Sequence, residues 1–248
     1  MIFLTLLPYI AVSFILGIII KFLEHTNIIN NICFKLMNHS KLEYDEIYVY
    51  VSTYIYWLLM IFFAVVISLV EKQNILSYLS IERKYIIYIF INIFAVISSF
   101  ELIISVISIL NSDMKVNTIF NNILLVPSVY MLYSSRSNPK WTLIMFASII
   151  KCLFFNGVIY LAVKMKFSDY SIFFTIFIVS ILFSLEEILR VNNIKQALIF
   201  TIACFIVTAI NTISFEYSGS LIPSIFANIS FTLYYFGQFE NMDKFYKN

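Results

Sequence analysis

Long apolar stretches, each bounded by a few polar residues, run along the chain from its first residues to near its last. A helix crosses the roughly 30 Å hydrocarbon core of a bilayer with about 20 predominantly apolar residues. By that measure the pattern predicts spans at 2–20, 47–70, 85–110, 141–163, 170–189, 196–214 and 219–236. A weaker stretch near 117–133 is broken by Asn121, Asn122 and Pro127 and counts as an eighth. The expected fold class is therefore all-α, a polytopic transmembrane bundle of about eight spans, with 1–248 as a single integral membrane domain.

Between the first two spans lies the longest polar interval, 21–46, which contains NIINNICFKLM. Its apolar positions recur at helical spacing, as in a helix lying along the membrane interface. The opening run MIFLTLLPYIAVSFILGIII has no basic residues before it and no small-residue cleavage site after it. A retained first span is expected there rather than a cleaved signal peptide.

Composition agrees with a lipid environment. Of 248 residues, 61% are hydrophobic and 12% charged, whereas soluble domains carry about 25% charged residues. A net charge of +2 gives no electrostatic case for nucleic acid. The expected partners are the lipid bilayer and either another membrane protein or a peptide. Cys33, Cys152 and Cys204 are too widely spaced for a metal site or a disulfide framework, and they read as small buried hydrophobes. No cofactor and no metal is expected.

Basic loop residues set orientation. With eight spans, Lys72, Arg83, Lys84, Arg136, Lys140, Arg190, Lys195, Lys244 and Lys247 share a side with both termini. Lys21, Lys35, Lys41, Lys115, Lys164 and Lys166 fall opposite. That count favours a cell-membrane protein with both termini in the cytoplasm. Tyr48, Tyr50, Tyr54, Trp57, Tyr234 and Tyr235 cluster near span ends and read as interface anchors.

Ionisable residues inside spans are costly, so each is a functional candidate. Glu101, Lys151 and Asn156 fall inside the third and fifth spans. Counting about 1.5 Å per residue places them roughly 24, 15 and 22 Å deep. A polar pocket formed by the three is one reading, and an ion pair that fixes packing is the other. Glu186, Glu187 and Arg190 sit in SLEEILR near a span end. Arg190 follows the glutamates by four and three residues, so the three read as a helix-end ion pair.

The run with Glu186 and Glu187 resembles the glutamate motif of the CAAX-protease and bacteriocin-processing family of intramembrane proteins. In one register Phe205, Ala209 and Asn228 occupy the later motif positions. In the preferred register Val129 and Tyr130 stand at the carboxylates, Cys152 and Asn156 at the Phe-x-x-x-His motif, and Thr201 and Phe205 at the last motif. Neither register supplies a histidine, since the only two, His25 and His39, precede the second span. The resemblance implies a degenerate, non-catalytic relative with a role such as bacteriocin self-immunity, or binding of a peptide or membrane partner. Leaning against an enzyme, the chain also lacks Gly-x-Ser-x-Gly, His-Glu-x-x-His and Walker patterns. A permease subunit of a transporter is the alternative, for example in ATPase-driven export or immunity. An enzyme acting on lipid-linked substrates is a third.

Overall fold

A computed structural model describes residues 2–40, 42–110, 118–119, 140–191 and 193–246. The predicted weak span near 117–133 lies outside them except for 118 and 119. No strand occurs among the described residues. The order is α1 (Ile2–His25), α2 (Asn27–Met37), α3 (Tyr44–Val70), a 3₁₀ turn (Ile75–Tyr78) and α4 (Tyr85–Leu110). Then α5 (Lys140–Cys152) passes through a π-helical turn (Leu153–Ile159) into α6 (Tyr160–Lys166). The chain closes with α7 (Ile172–Arg190), α8 (Ile194–Ser218) and α9 (Ile222–Tyr246). Among the described residues, six helices are long and apolar enough to cross a membrane. The chain is a membrane-type all-α bundle, as the pattern predicts.

Local sequence explains the helix ends. Ser171 and Asn193 cap α7 and α8, accepting from the backbone N–H groups of Phe174 and Gln196. Gly219 ends α8 at φ +72°, the left-handed conformation that glycine adopts without strain, and its N–H returns to Phe215 O. Pro223 sits at the second residue of α9, where its missing N–H costs nothing.

The continuous rod of α5, the π turn and α6 is the most buried of the spanning helices. It packs against α3, α7, α8 and α9. Phe154, Phe155, Val158, Ile159 and Tyr160 lie in the core there, beside Tyr56 and Met60 of α3 and Leu182 of α7. By contrast α4 leaves Ile87, Phe90, Ile91, Phe94, Leu102 and Ile109 exposed, a surface that suits lipid and not water. At Gly17, α1 approaches α7 so closely that an added Cβ would lie 2.8 Å from Leu189 Cβ. Helices in lipid gain contact at such small residues.

Long-range bonds fix the direction of each helix. At the first end of the bundle, Tyr9 near the start of α1 donates to Glu71 after α3 (2.9 Å). Lys166, the last residue of α6, pairs with the same Glu71 (3.0 Å). The turn before α9 joins them, with Leu221 N–H on Tyr78 O (2.9 Å) and Ser220 Oγ on Ser80 O (2.9 Å). At the second end, Tyr235 of α9 donates to Glu101 of α4 (3.2 Å). Thus α4 and α9 run parallel, α5 starts at the second end, and the α7–α8 corner lies there too. The start of α1 and the last part of α9 consequently lie at opposite ends of the bundle.

The segment after α1 forms α2, whose Ile29 and Cys33 pack on Ile47 and Tyr48 of α3. Its helical periodicity is as predicted. The aromatic anchors divide: Tyr54 and Tyr234 are exposed, whereas Tyr48, Trp57 and Tyr235 are buried. Cys33 and Cys152 are buried free thiols, and Cys204 is a half-buried cysteine.

Candidate functional site

Ser148, Lys151, Asn156, Tyr160 and Lys164 follow one another along the central rod, and each bonds to another helix. Ser148 Oγ shares a bond with Thr232 Oγ1 (2.9 Å), and Asn228 Nδ2 donates to Ser148 O (2.8 Å). Lys151 donates to Glu187 of α7. Asn156 Nδ2 donates to Thr208 O (3.1 Å) and Thr212 Oγ1 (2.7 Å) of α8. Near the first end, Tyr160 and Lys164 both donate to Glu216, the lysine at 2.7 and 2.8 Å to the two carboxylate oxygens.

In a regular helix Lys151 and Asn156 would point about 140° apart. Between them the helix widens into the π turn, where each residue rotates less and one extra residue is accommodated. Gln73 supports this irregularity from outside. In the orientation of its amide that satisfies both groups, Nε2 donates to Val158 O (3.3 Å) and Oε1 accepts from Ala162 N–H (2.8 Å). A side chain thus stands where an intrahelical bond would be. Beside it, Ile75 Cγ2 lies 3.7 Å from the Cβ that Gly157 lacks.

The densest charge lies toward the second end. Glu186 is fully buried and Glu187 is 5% exposed. Tyr56 of α3 donates to Glu186 Oε1 (3.0 Å). The Lys151 ammonium, ion-paired with Glu187, stands 5.5 Å from the ring centre of Tyr56 and 5.6 Å from that of Phe183. Tyr56 of α3 and Lys151 of α5 therefore converge on two adjacent carboxylates of α7, with Phe183 as an apolar wall. Carboxylates at such burial must be paired and hydrogen-bonded, because lipid offers neither. Among the described residues no group of three histidine, cysteine, aspartate or glutamate side chains is set to hold a metal ion.

The three residues predicted to share a pocket take separate partners: Glu101 bonds Tyr235, Lys151 bonds Glu187, and Asn156 bonds α8. Glu186 and Glu187, predicted at a helix end, are near the end of α7 but inside the bundle. The side chain of Arg190 lies outside the description. Sequence reasoning missed Tyr56, Phe183 and the Glu216, Tyr160 and Lys164 set. Only the four-residue spacing of Tyr160 and Lys164 hints at a shared face. It also missed Asn92 of α4, which donates to Asn211 Oδ1 (2.9 Å) and Pro223 O (3.2 Å) in the bundle centre.

Residues 135–237 match a family of unknown function (DUF5968). No curated protein and no solved structure matches the chain. The resemblance to the CAAX-protease family is thereby corrected: the matching family covers most of the part of the chain on which that resemblance rested, and it is a different one. The motif positions have structural work of their own. Asn156 and Asn228 tie the rod to α8 and α9, and Thr201 Oγ1 donates to Ala197 O one turn back (2.6 Å). Val129 and Tyr130 lie outside the described residues.

Proposed function

We propose that this chain is a non-catalytic, multi-pass membrane protein that binds a polar ligand inside its helix bundle. The binding site of this reading is the cluster of Tyr56, Lys151, Glu186 and Glu187. One observation carries it: two adjacent, buried carboxylates and an ammonium are held at the centre of three helices. Charged groups at such depth are costly to a fold and mark ligand or ion paths. Bacteriocin self-immunity rested on the corrected resemblance and is not carried over. A peptide or a second membrane protein fits as ligand only through polar groups that reach this cluster.

The experiment is a thermal-unfolding screen of the purified protein against sodium chloride, alkylammonium chlorides, tetralysine and tetraglutamate. At least one class should raise the unfolding temperature of the wild type and leave Lys151→Met/Glu187→Gln unmoved. Identical responses of both proteins to every probe would defeat the reading.

A permease subunit is the second reading, favoured by the sequence of polar partners from Lys151 to Lys164 along one rod. Flux of the active probe into protein-containing liposomes would select it over simple binding. For orientation, among the described residues the second end carries Lys21, Lys35, Lys140, Arg190, Lys195 and Lys244, against Lys72, Arg83, Lys84, Lys164 and Lys166 at the first. The positive-inside rule then places the second end, with α2 and the last part of α9, in the cytoplasm.

A further inference from the structure

The ligand class can be read from what surrounds Lys151, given the binding role of this cluster. Around its ammonium stand Glu187 as direct partner, the faces of Tyr56 and Phe183 at 5.5 and 5.6 Å, and Glu186 held by Tyr56. A carboxylate supplies charge, and ring faces attract a cation through their quadrupole, best where water is excluded. Nothing in these surroundings requires the ammonium to be tethered to α5. The tether comes from the more open side, since the Lys151 side chain is 20% exposed and that of Glu187 is 7%. The π turn begins two residues later, so the regular helix that carries the lysine ends directly beyond it.

We infer that the cluster is an ammonium-binding site in which Lys151 is the resident occupant, displaced when a primary alkylammonium ligand binds. Glu187 is the anchoring carboxylate, Tyr56 and Phe183 are the aromatic walls, and Glu186 positions Tyr56. The lysine competes with the ligand for one place, so it sets the affinity from within.

The test is equilibrium dialysis of radiolabelled n-butylammonium, the lysine side chain without its backbone, against the full chain in detergent. Wild type should bind it saturably, and Lys151→Ala should bind it about tenfold tighter or more, because the competitor is gone. Glu187→Gln should abolish binding, and neither n-butanol nor sodium chloride at matched concentration should compete. Equal affinity of wild type and Lys151→Ala would overturn the inference, as would competition by sodium or binding that survives Glu187→Gln. If Lys151→Ala does not stay folded, the wild-type arm decides alone: no saturable binding, or binding indifferent to Glu187→Gln, overturns it. Should another class of probe act at the cluster while n-butylammonium does not, only the ammonium assignment falls. Should no probe act there at all, the binding reading falls with it.

Discussion

Lys151 in the middle of the central rod donates to Glu187 near the end of α7, so the centre of one helix meets the last turn of its neighbour. Such a meeting is available because α7, Ile172–Arg190, is shorter than the rod, Lys140–Lys166. Breaking one side of a buried ion pair leaves an uncompensated charge, at a cost of about 3–5 kcal/mol, whereas neutralising both is often mild. Lys151→Met and Glu187→Gln should each lower stability by that order, and the double variant should recover most of it. Denaturant or thermal unfolding in detergent measures the cycle. Additive losses in the double variant would mean that the two side chains do not depend on each other.

Gln73 gives a second expectation. Gln73→Leu keeps the volume but removes both bonds to the π turn, leaving Val158 O and Ala162 N–H without that side chain. The loss should be about 1–3 kcal/mol, with amide exchange at Ala162 faster than in wild type. Unchanged exchange there would show that the rod holds its shape unaided.

At Gly17 the constraint is steric. Gly17→Ala puts a methyl 2.8 Å from Leu189 Cβ and 3.2 Å from Glu186 O, so α1 and α7 must separate. Overpacking of this kind costs about 1–3 kcal/mol, and Gly17→Val should cost more. Because Glu186 moves with the contact, n-butylammonium affinity should fall as well. A stable Gly17→Val protein with unchanged binding would show that the two helices are free to part.

Topology is checked by reporter fusions before α1 and after Tyr246. Opposite locations are expected, with the second in the cytoplasm. Matching locations would contradict the helix directions fixed by Glu71 and Glu101.

Cys33 lies on the buried face of α2, and burial raises its thiol above the ordinary range. A thiol held protonated is a poor nucleophile. Hydrophilic maleimide at neutral pH should leave it unlabelled in the folded protein and label it after denaturation, as read by mass spectrometry. Rapid labelling in the native state would show that α2 lifts off α3.

The spans were legible in the sequence because the bilayer imposes a length, and length is a local property. That Glu101, Lys151 and Glu187 need partners was equally legible, because the cost of a buried charge does not depend on which helix answers it. The partners themselves were not. Depth counted along regular helices placed Asn156 near Glu101 and left Glu187 to its own helix. Neighbourhood is decided by which rods pack side by side, and no spacing within one helix encodes that. Tyr235 shows the same limit, since a tyrosine near a span end reads as an anchor whether its hydroxyl meets water or a carboxylate. The π turn had no local signal either, as Gln73 supports it from about eighty residues away in the chain.

That turn has a consequence for how the chain tolerates changes in length. Elsewhere in a spanning helix, removing one residue shifts everything beyond it and turns each following side chain by about 100° away from its partner. Between Leu153 and Ile159 the helix already holds a residue more than a regular turn needs. A single deletion there can be absorbed by the wide turn closing to ordinary geometry, with Tyr160 and Lys164 still directed toward Glu216. This short stretch is thus the one place in the central rod where the two halves can be re-indexed against each other without unthreading either.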